Sequence, residues 1–308
     1  MSYFAKILRF GIITATVLQS ALAAANPIKI GIGIDAAFAP FFIAQQRGAF
    51  KRAGLDVDLV RFTQGGESLD AAVAGQVQVV ASAEMTTMIR LPRADLRPLV
   101  IYEESGNYIK LVARAGINSV QQIKKFGVVK GSSSEYATFK TLQKFGLDRQ
   151  SVQLLPTAPP ELPALMTRGD IDAFFAWEPW PAIGLKQGGK VLQTSGDVGY
   201  TFAMWLTVSG AWLDANRDAA KKLIEVIAET NRQIIADPVK ASEDLQAQTK
   251  LSAADTVAFL RDTKWRVRNF TAADIESYDQ VADFLASQKV TPVKVDVRKS
   301  LQQGFYKE

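Results

Sequence analysis

The sequence predicts an α/β protein of two lobes, each a mostly parallel sheet flanked by helices, with a helical tail at the C-terminus. Three observations carry that prediction. Strand-like and helix-like segments alternate from Ile28 onward, the same grammar starts again near Phe126, and amphipathic helical patterns take over after Val208.

Each element follows from its residues. Ile28, Ile30, Ile32 and Ile34 alternate with Lys29, Gly31 and Gly33, which is the period of a strand. Phe41 to Phe50 reads as a helix stopped by Gly54, and Leu55 to Val60 as a second strand. Glu67 to Ala74 is a short helix stopped by Gly75, and Val77 to Ala81 a third strand. In the second half, Phe126 to Val129 is a strand and Ser134 to Phe145 a helix. Gly146-Leu147-Asp148 then repeats Gly54-Leu55-Asp56, and Arg168-Gly169-Asp170-Ile171 repeats Ala74-Gly75-Gln76-Val77. The stopping glycines are 21 residues apart in the first copy and 23 in the second. Two copies at this spacing predict two similar lobes built from βαβ units. Ala219 to Ile235 and segments near 239–248, 252–262 and 271–287 predict a helical tail that packs back on the first lobe. Crossover strands are expected near Tyr102–Leu111 and Gly199–Trp205. The division is therefore 1–25 as a leader, 26–105 with 206–308 as the first lobe and tail, and 106–205 as the second lobe.

The leader has the three parts of a cleaved export signal. Lys6 and Arg9 give a positive start, Phe10 to Leu18 an apolar core, and Ala21-Leu22-Ala23 and Ala23-Ala24-Ala25 two A-x-A sites. A membrane span needs about 20 apolar residues, more than this run supplies. The chain has no cysteine, so it lacks the residue a bacterial lipoprotein is tethered by. A periplasmic protein, free after cleavage behind Ala23 or Ala25, is the expectation.

Composition excludes several kinds of chemistry. The absence of histidine removes the commonest general base and metal ligand. No Gly-x-Ser-x-Gly occurs, and Ser132, Ser133 and Ser134 have only Lys130 nearby as a base. The net charge of +5 is spread over single residues, the pattern of a solvated surface and not of a nucleic-acid footprint. Gly31-Ile32-Gly33-Ile34-Asp35-Ala36 matches a dinucleotide fingerprint in spacing. Phe38 and Pro40, however, stand where small residues should approach a pyrophosphate, and an exported protein does not meet NAD. No cofactor and no metal are expected.

What remains are the loops that follow strands, where α/β folds place ligands. They are Asp35 to Phe41, Thr63 to Glu67, Ser82 to Thr86 and Gly131 to Ser134; Trp177-Glu178-Pro179-Trp180 adds aromatic surface. Each serine could equally be a helix cap, and both tryptophans could be buried packing.

Taken together, Ile30-Gly31, Phe38 to Ala44, Arg47 to Phe50, Ala53 to Asp58, Leu69 to Ala81, Lys130 to Ser134 and Trp177 to Trp180 resemble a known family. It comprises the sulfonate, nitrate and thiamine-precursor binding proteins of ATP-driven importers. The resemblance covers residues 28–210 and, more loosely, the tail. It departs at Ala83-Glu84, where many relatives have Gly-Asp, and at Tyr102 to Gly106, which match no ligand class.

The resemblance implies a type II periplasmic-binding-protein fold whose lobes close like a hinge on a small molecule. It implies a monomeric, non-enzymatic substrate-binding component that delivers solute to an ABC transporter permease in the inner membrane. Its cleft residues would be Phe38, Pro40, Phe41, Gly65, Gly66, Glu67, Ser82, Glu84, Met85, Ser132, Ser133, Ser134, Trp177 and Glu178. The helix start at Ser132–Ser134 favours an anionic head group, whereas Glu67, Glu84 and Glu178 would repel a bare anion. An aliphatic sulfonate or taurine reconciles these. Nitrate, an aromatic carboxylate, a thiamine-precursor pyrimidine, or service as a ligand sensor for a membrane receptor are the alternatives. Pyrimidine-synthesising enzymes similar to this family need an active-site histidine, which this chain lacks.

Overall fold

The computed structural model describes residues 26–148, 150–249 and 251–307; the leader and its two cleavage sites lie outside the described residues. The strands are β1 (Ile28–Ile32), β2 (Val57–Arg61), β3 (Val79–Ala83), β4 (Leu96–Ser105), β5 (Lys110–Ala113), β6 (Lys125–Val128), β7 (Gln153–Pro156), β8 (Ala173–Ala176), β9 (Lys190–Thr194) and β10 (Phe202–Ser209). Helices α1 (Ala39–Gln46), α2 (Ala49–Arg52), α3 (Gly65–Val73) and α4 (Glu84–Met88) accompany the first sheet, and α5 (Ser133–Lys144), α6 (Leu162–Arg168) and α7 (Trp180–Lys186) the second. The tail comprises α8 (Gly210–Ala215), α9 (Arg217–Ala236), α10 (Pro238–Leu245), α11 (Ala253–Asp262) and α12 (Ala272–Ser287).

The two sheets have the same plan. The first runs β2-β1-β3-β10-β4 and the second β7-β6-β8-β5-β9. In each, the first three strands are parallel and the fourth is antiparallel to both neighbours. That fourth strand follows a crossover from the other lobe. β10 arrives from the second lobe to lie between β3 and β4, and β5 arrives from the first to lie between β8 and β9. Residues 202–205 pair in the first sheet, so the lobe boundary falls earlier than position 206, inside the segment expected to be a crossover.

Local chemistry explains the element ends. The helix expected over 41–50 is two, because Gly48 adopts φ 67° and breaks the run. Gly31 and Gly33 are packing glycines: a Cβ on Gly31 would stand 2.9 Å from the Ser68 Cβ, and one on Gly33 2.4 Å from the Phe38 ring. The tail packs on the first lobe through Leu223, Ile224, Ile227 and Ile234 of α9, all buried in its core. It is pinned by Arg268, which ion-pairs Glu104 at the end of β4 and Asp274 at the start of α12. Buried Trp205 donates to the Tyr278 hydroxyl at 3.1 Å. Among the described residues no helix is long and apolar enough to cross a membrane.

Candidate functional site

The C-terminal ends of β1, β2 and β3 face those of β6 and β8 across a cleft of about 720 Å3, open at its mouth. The ends of parallel strands leave helix N-termini pointing at the same space. Helix α3 opens on it with Gly65 and Gly66, and α5 with Ser132 and Ser133. First-turn amides have no intrahelical carbonyl to bond and carry the positive end of the dipole. Ser132 caps α5, its hydroxyl accepting from Ser134 N at 3.2 Å and donating to Val129 O at 2.7 Å. Gly65 sits against Ser82: a Cβ there would lie 2.8 Å from Ser82 Oγ, so only glycine lets α3 start this close to β3. Ser82 is fully buried, lines the cleft, and its Oγ has no hydrogen-bond partner. A buried hydroxyl left unpaired is costly unless something visits it.

Apolar surface comes from Phe38, Trp177, Phe202 and Met204. Trp177 is half-buried and lines the cleft, whereas Trp180 belongs to the second lobe's core. The charged groups are Asp35, Glu67, Asp70, Arg90 and Lys130. Arg90 donates to Asp70 through Nε at 3.3 Å and through a terminal nitrogen at 2.8 Å, and its guanidinium holds Asp70 below the usual carboxylate range. Lys130 pairs with Glu135 at 2.6 Å, which occupies the base that a Ser-Lys dyad would need.

Of the residues expected at the site, Phe38, Gly65, Gly66, Glu67, Ser82, Ser132, Ser133 and Trp177 line this cleft. Six do not. Pro40 and Phe41 are buried in α1, with Phe41 edge-on to Tyr102 at 5.3 Å. Met85 is core. Ser134 is fully buried and accepts from Val129 N at 3.2 Å. Glu84 points inward, taking hydrogen bonds from Tyr200 Oη and, at 3.1 Å, from Ala203 N. Burial pushes its pKa up to about 7. Glu178, beside Trp177 in sequence, turns to a smaller hollow on the far side of Tyr108, where it pairs with Lys110 at 2.7 Å.

The structure adds residues that loop-by-loop reading did not single out. Tyr108, Phe202 and Met204 come from the two crossovers and reach the cleft because of the strand exchange. Asp35 lies in a loop that was flagged, yet its own role emerges only from its surroundings. It is buried, and its Oδ1 accepts from Tyr108 Oη at 2.7 Å and from Ala37 N at 2.9 Å. Burial raises its pKa to about 6 despite those bonds. Among the described residues no group of three His, Cys, Asp or Glu could hold a metal ion.

Comparison with known proteins gives a consistent lineage. The chain is 26% identical to the taurine-binding periplasmic protein of Escherichia coli over 243 residues, 74% of each chain. It is 23% identical to a putative aliphatic sulfonates-binding protein of Bacillus subtilis over 300 residues, covering 91% of this chain and 87% of that one. The crystal structure of the periplasmic aliphatic sulphonate binding protein SsuA from Escherichia coli superposes with a TM-score of 0.79 at 20% identity, covering 92% of this chain and 94% of that one. That likeness establishes the periplasmic-binding-protein fold; these three relatives are binding proteins, not enzymes. With the model of the NMT1-like family matching residues 23–248, the chain belongs to that family.

Proposed function

We propose that this protein is the substrate-binding component of an ABC importer, capturing a small organic solute with an acidic head group, an aliphatic sulfonate or taurine, between its lobes. The observation that supports this most directly is Ser82 Oγ, buried and unpaired in the cleft wall against the start of α3. Together with the first turns of α3 and α5 it offers donors to an anion from both lobes without a free cation. The apolar lining by Phe38, Trp177, Phe202 and Met204 suits an organic body. Nitrate would leave that surface uncovered. Relatives named for taurine and aliphatic sulfonates point the same way. The Lys6 to Ala25 segment supports delivery to the periplasm, where the loaded protein would meet a permease in the inner membrane.

A thermal-shift screen on mature protein, refolded to strip carried-over ligand, tests the proposal. The panel is alkanesulfonates, taurine, nitrate, aromatic carboxylates and thiamine precursors. A ligand at a hundred times its Kd adds about 2.7 kcal/mol, visible as a raised Tm. A shift by sulfonates or taurine alone is the expected result; a shift by pyrimidines or nitrate alone would replace it.

A further inference from the structure

Each cation that lines the cleft is already held by a carboxylate. Arg90 is held by Asp70, which also binds Arg93 at 2.8 Å, and Lys130 is held by Glu135. Two carboxylates there, Asp35 and Glu67, have no cationic partner among the described residues. Glu67 is exposed and accepts from Thr63 N at 3.0 Å, so water screens it. Asp35 is the buried one. Both of its hydrogen bonds fall on Oδ1, leaving Oδ2 without a donor.

We propose that Asp35 is the receptor for an ammonium group, so that the ligand is a small zwitterion with its acidic end at Ser82 and the first turns of α3 and α5. This rests on the binding reading above and narrows its substrate class. A buried carboxylate is tolerated when a cation completes it, and a site whose only other attraction is for anions selects a molecule carrying both charges. The surroundings of Asp35 offer no competing cation. Tyr108 from the first crossover donates to it, and Tyr102 of β4 donates instead to Ala37 O at 3.2 Å. Glu103 of β4 is fully buried with neither carboxyl oxygen paired, and burial, with a further push from Asp35, raises its pKa well above the usual carboxylate range. On the other side of Tyr108, Glu178 is satisfied by Lys110, while Asp255 and Asp262, which share that hollow, reach solvent. Asp35 is therefore the buried carboxyl that faces the cleft with only neutral donors beside it. The aromatic and apolar lining between the two poles fits a short carbon spacer and not a second charge.

The test is calorimetry on the stripped full-length mature protein with matched pairs: taurine against 2-hydroxyethanesulfonate, and β-alanine against propionate. A charged hydrogen bond lost in a closed site corresponds to about tenfold to a hundredfold in affinity. Wild-type protein should prefer taurine over the hydroxyl analogue by at least about tenfold, and Asp35→Asn should collapse the preference to within about threefold. Because the proton competes with the ammonium for Asp35, taurine affinity should also fall below about pH 6. That measurement needs no variant, so it stands even if Asp35→Asn folds poorly. Equal binding of taurine and 2-hydroxyethanesulfonate by wild-type protein would overturn the ammonium receptor and leave the sulfonate reading intact. Binding of β-alanine over propionate, dependent on Asp35, with no sulfonate bound, would keep the receptor and remove the sulfonate. Binding of no member of the panel would remove both.

Discussion

Tyr200, in the second crossover, donates its hydroxyl hydrogen bond to Glu84 of the first lobe. The first crossover does the same: Tyr108 donates to Asp35 at 2.7 Å. Each strand passing between the lobes is thus tied to a buried first-lobe carboxyl. Burial raises the pKa of Glu84 from 4.5 to about 7, so the folded state binds the proton more tightly than the unfolded chain. Between those values stability must fall as pH rises. Urea unfolding at pH 5 and pH 8 should show a loss of the order of 3 kcal/mol from this group. Glu84→Gln, which keeps a neutral acceptor for Tyr200, should reduce the dependence by that amount, leaving the part due to Asp35 and Glu103, whose pKa values are raised as well; an unchanged slope would show that Glu84 does not titrate there.

Trp177 lines the cleft from the second lobe while its neighbour Trp180 fills the core. Trp177→Ala should weaken ligand binding by about 1–3 kcal/mol with little change in Tm. Unaltered affinity in a folded variant would remove the indole from the ligand's surface.

Gly65 and Ser82 are so close that a Cβ on Gly65 would stand 2.8 Å from Ser82 Oγ and 3.3 Å from Ser82 Cβ. Gly65→Ala should push α3 off β3, lowering stability by about 1–3 kcal/mol. Adding Ser82→Ala removes the nearer atom and should recover part of that loss. Chemical denaturation of the two single variants and the double should give a coupling of about 1 kcal/mol. Strict additivity would mean that the helix start yields elsewhere.

Phe284 of α12 in the first lobe's tail meets Tyr136 at 5.1 Å and Phe139 at 4.6 Å on α5 of the second lobe. These rings touch outside the cleft, so their contact belongs to the lobe arrangement. Phe284→Ala should favour separated lobes and raise the ligand Kd several-fold, for about 1 kcal/mol of lost ring contact. Small-angle scattering should show a larger radius of gyration without ligand. An unchanged radius together with unchanged Kd would count against that role.

The α/β architecture was legible because its signals are local. Gly54, Gly75, Gly146 and Gly169 stop their segments in both copies, and all four adopt positive φ. Part of the cleft was legible for the same reason: Gly65, Gly66, Ser132 and Ser133 open helices right after strands. What local reading could not supply was direction. Glu84 and Thr86 sit two residues apart on α4, yet only Thr86 lines the cleft while Glu84 turns inward to Tyr200. Trp177 and Glu178 part in the same way, on opposite sides of Tyr108. Tyr108, Phe202 and Met204 depend on which sheet receives each crossover, a pairing set by residues a hundred positions apart.

The exchange of β5 and β10 fixes the order in which the molecule can be completed. Everything in the second sheet, β5 through β9, lies in one unbroken stretch from Lys110 to Thr194. The first sheet has a vacant place between β3 and β4 until Phe202 to Ser209 arrive. A chain made available from its N-terminus onward can therefore close its second lobe while the first still exposes two unpaired strand edges. The inserted lobe is the one that can mature alone, and the lobe that begins the chain must wait for it.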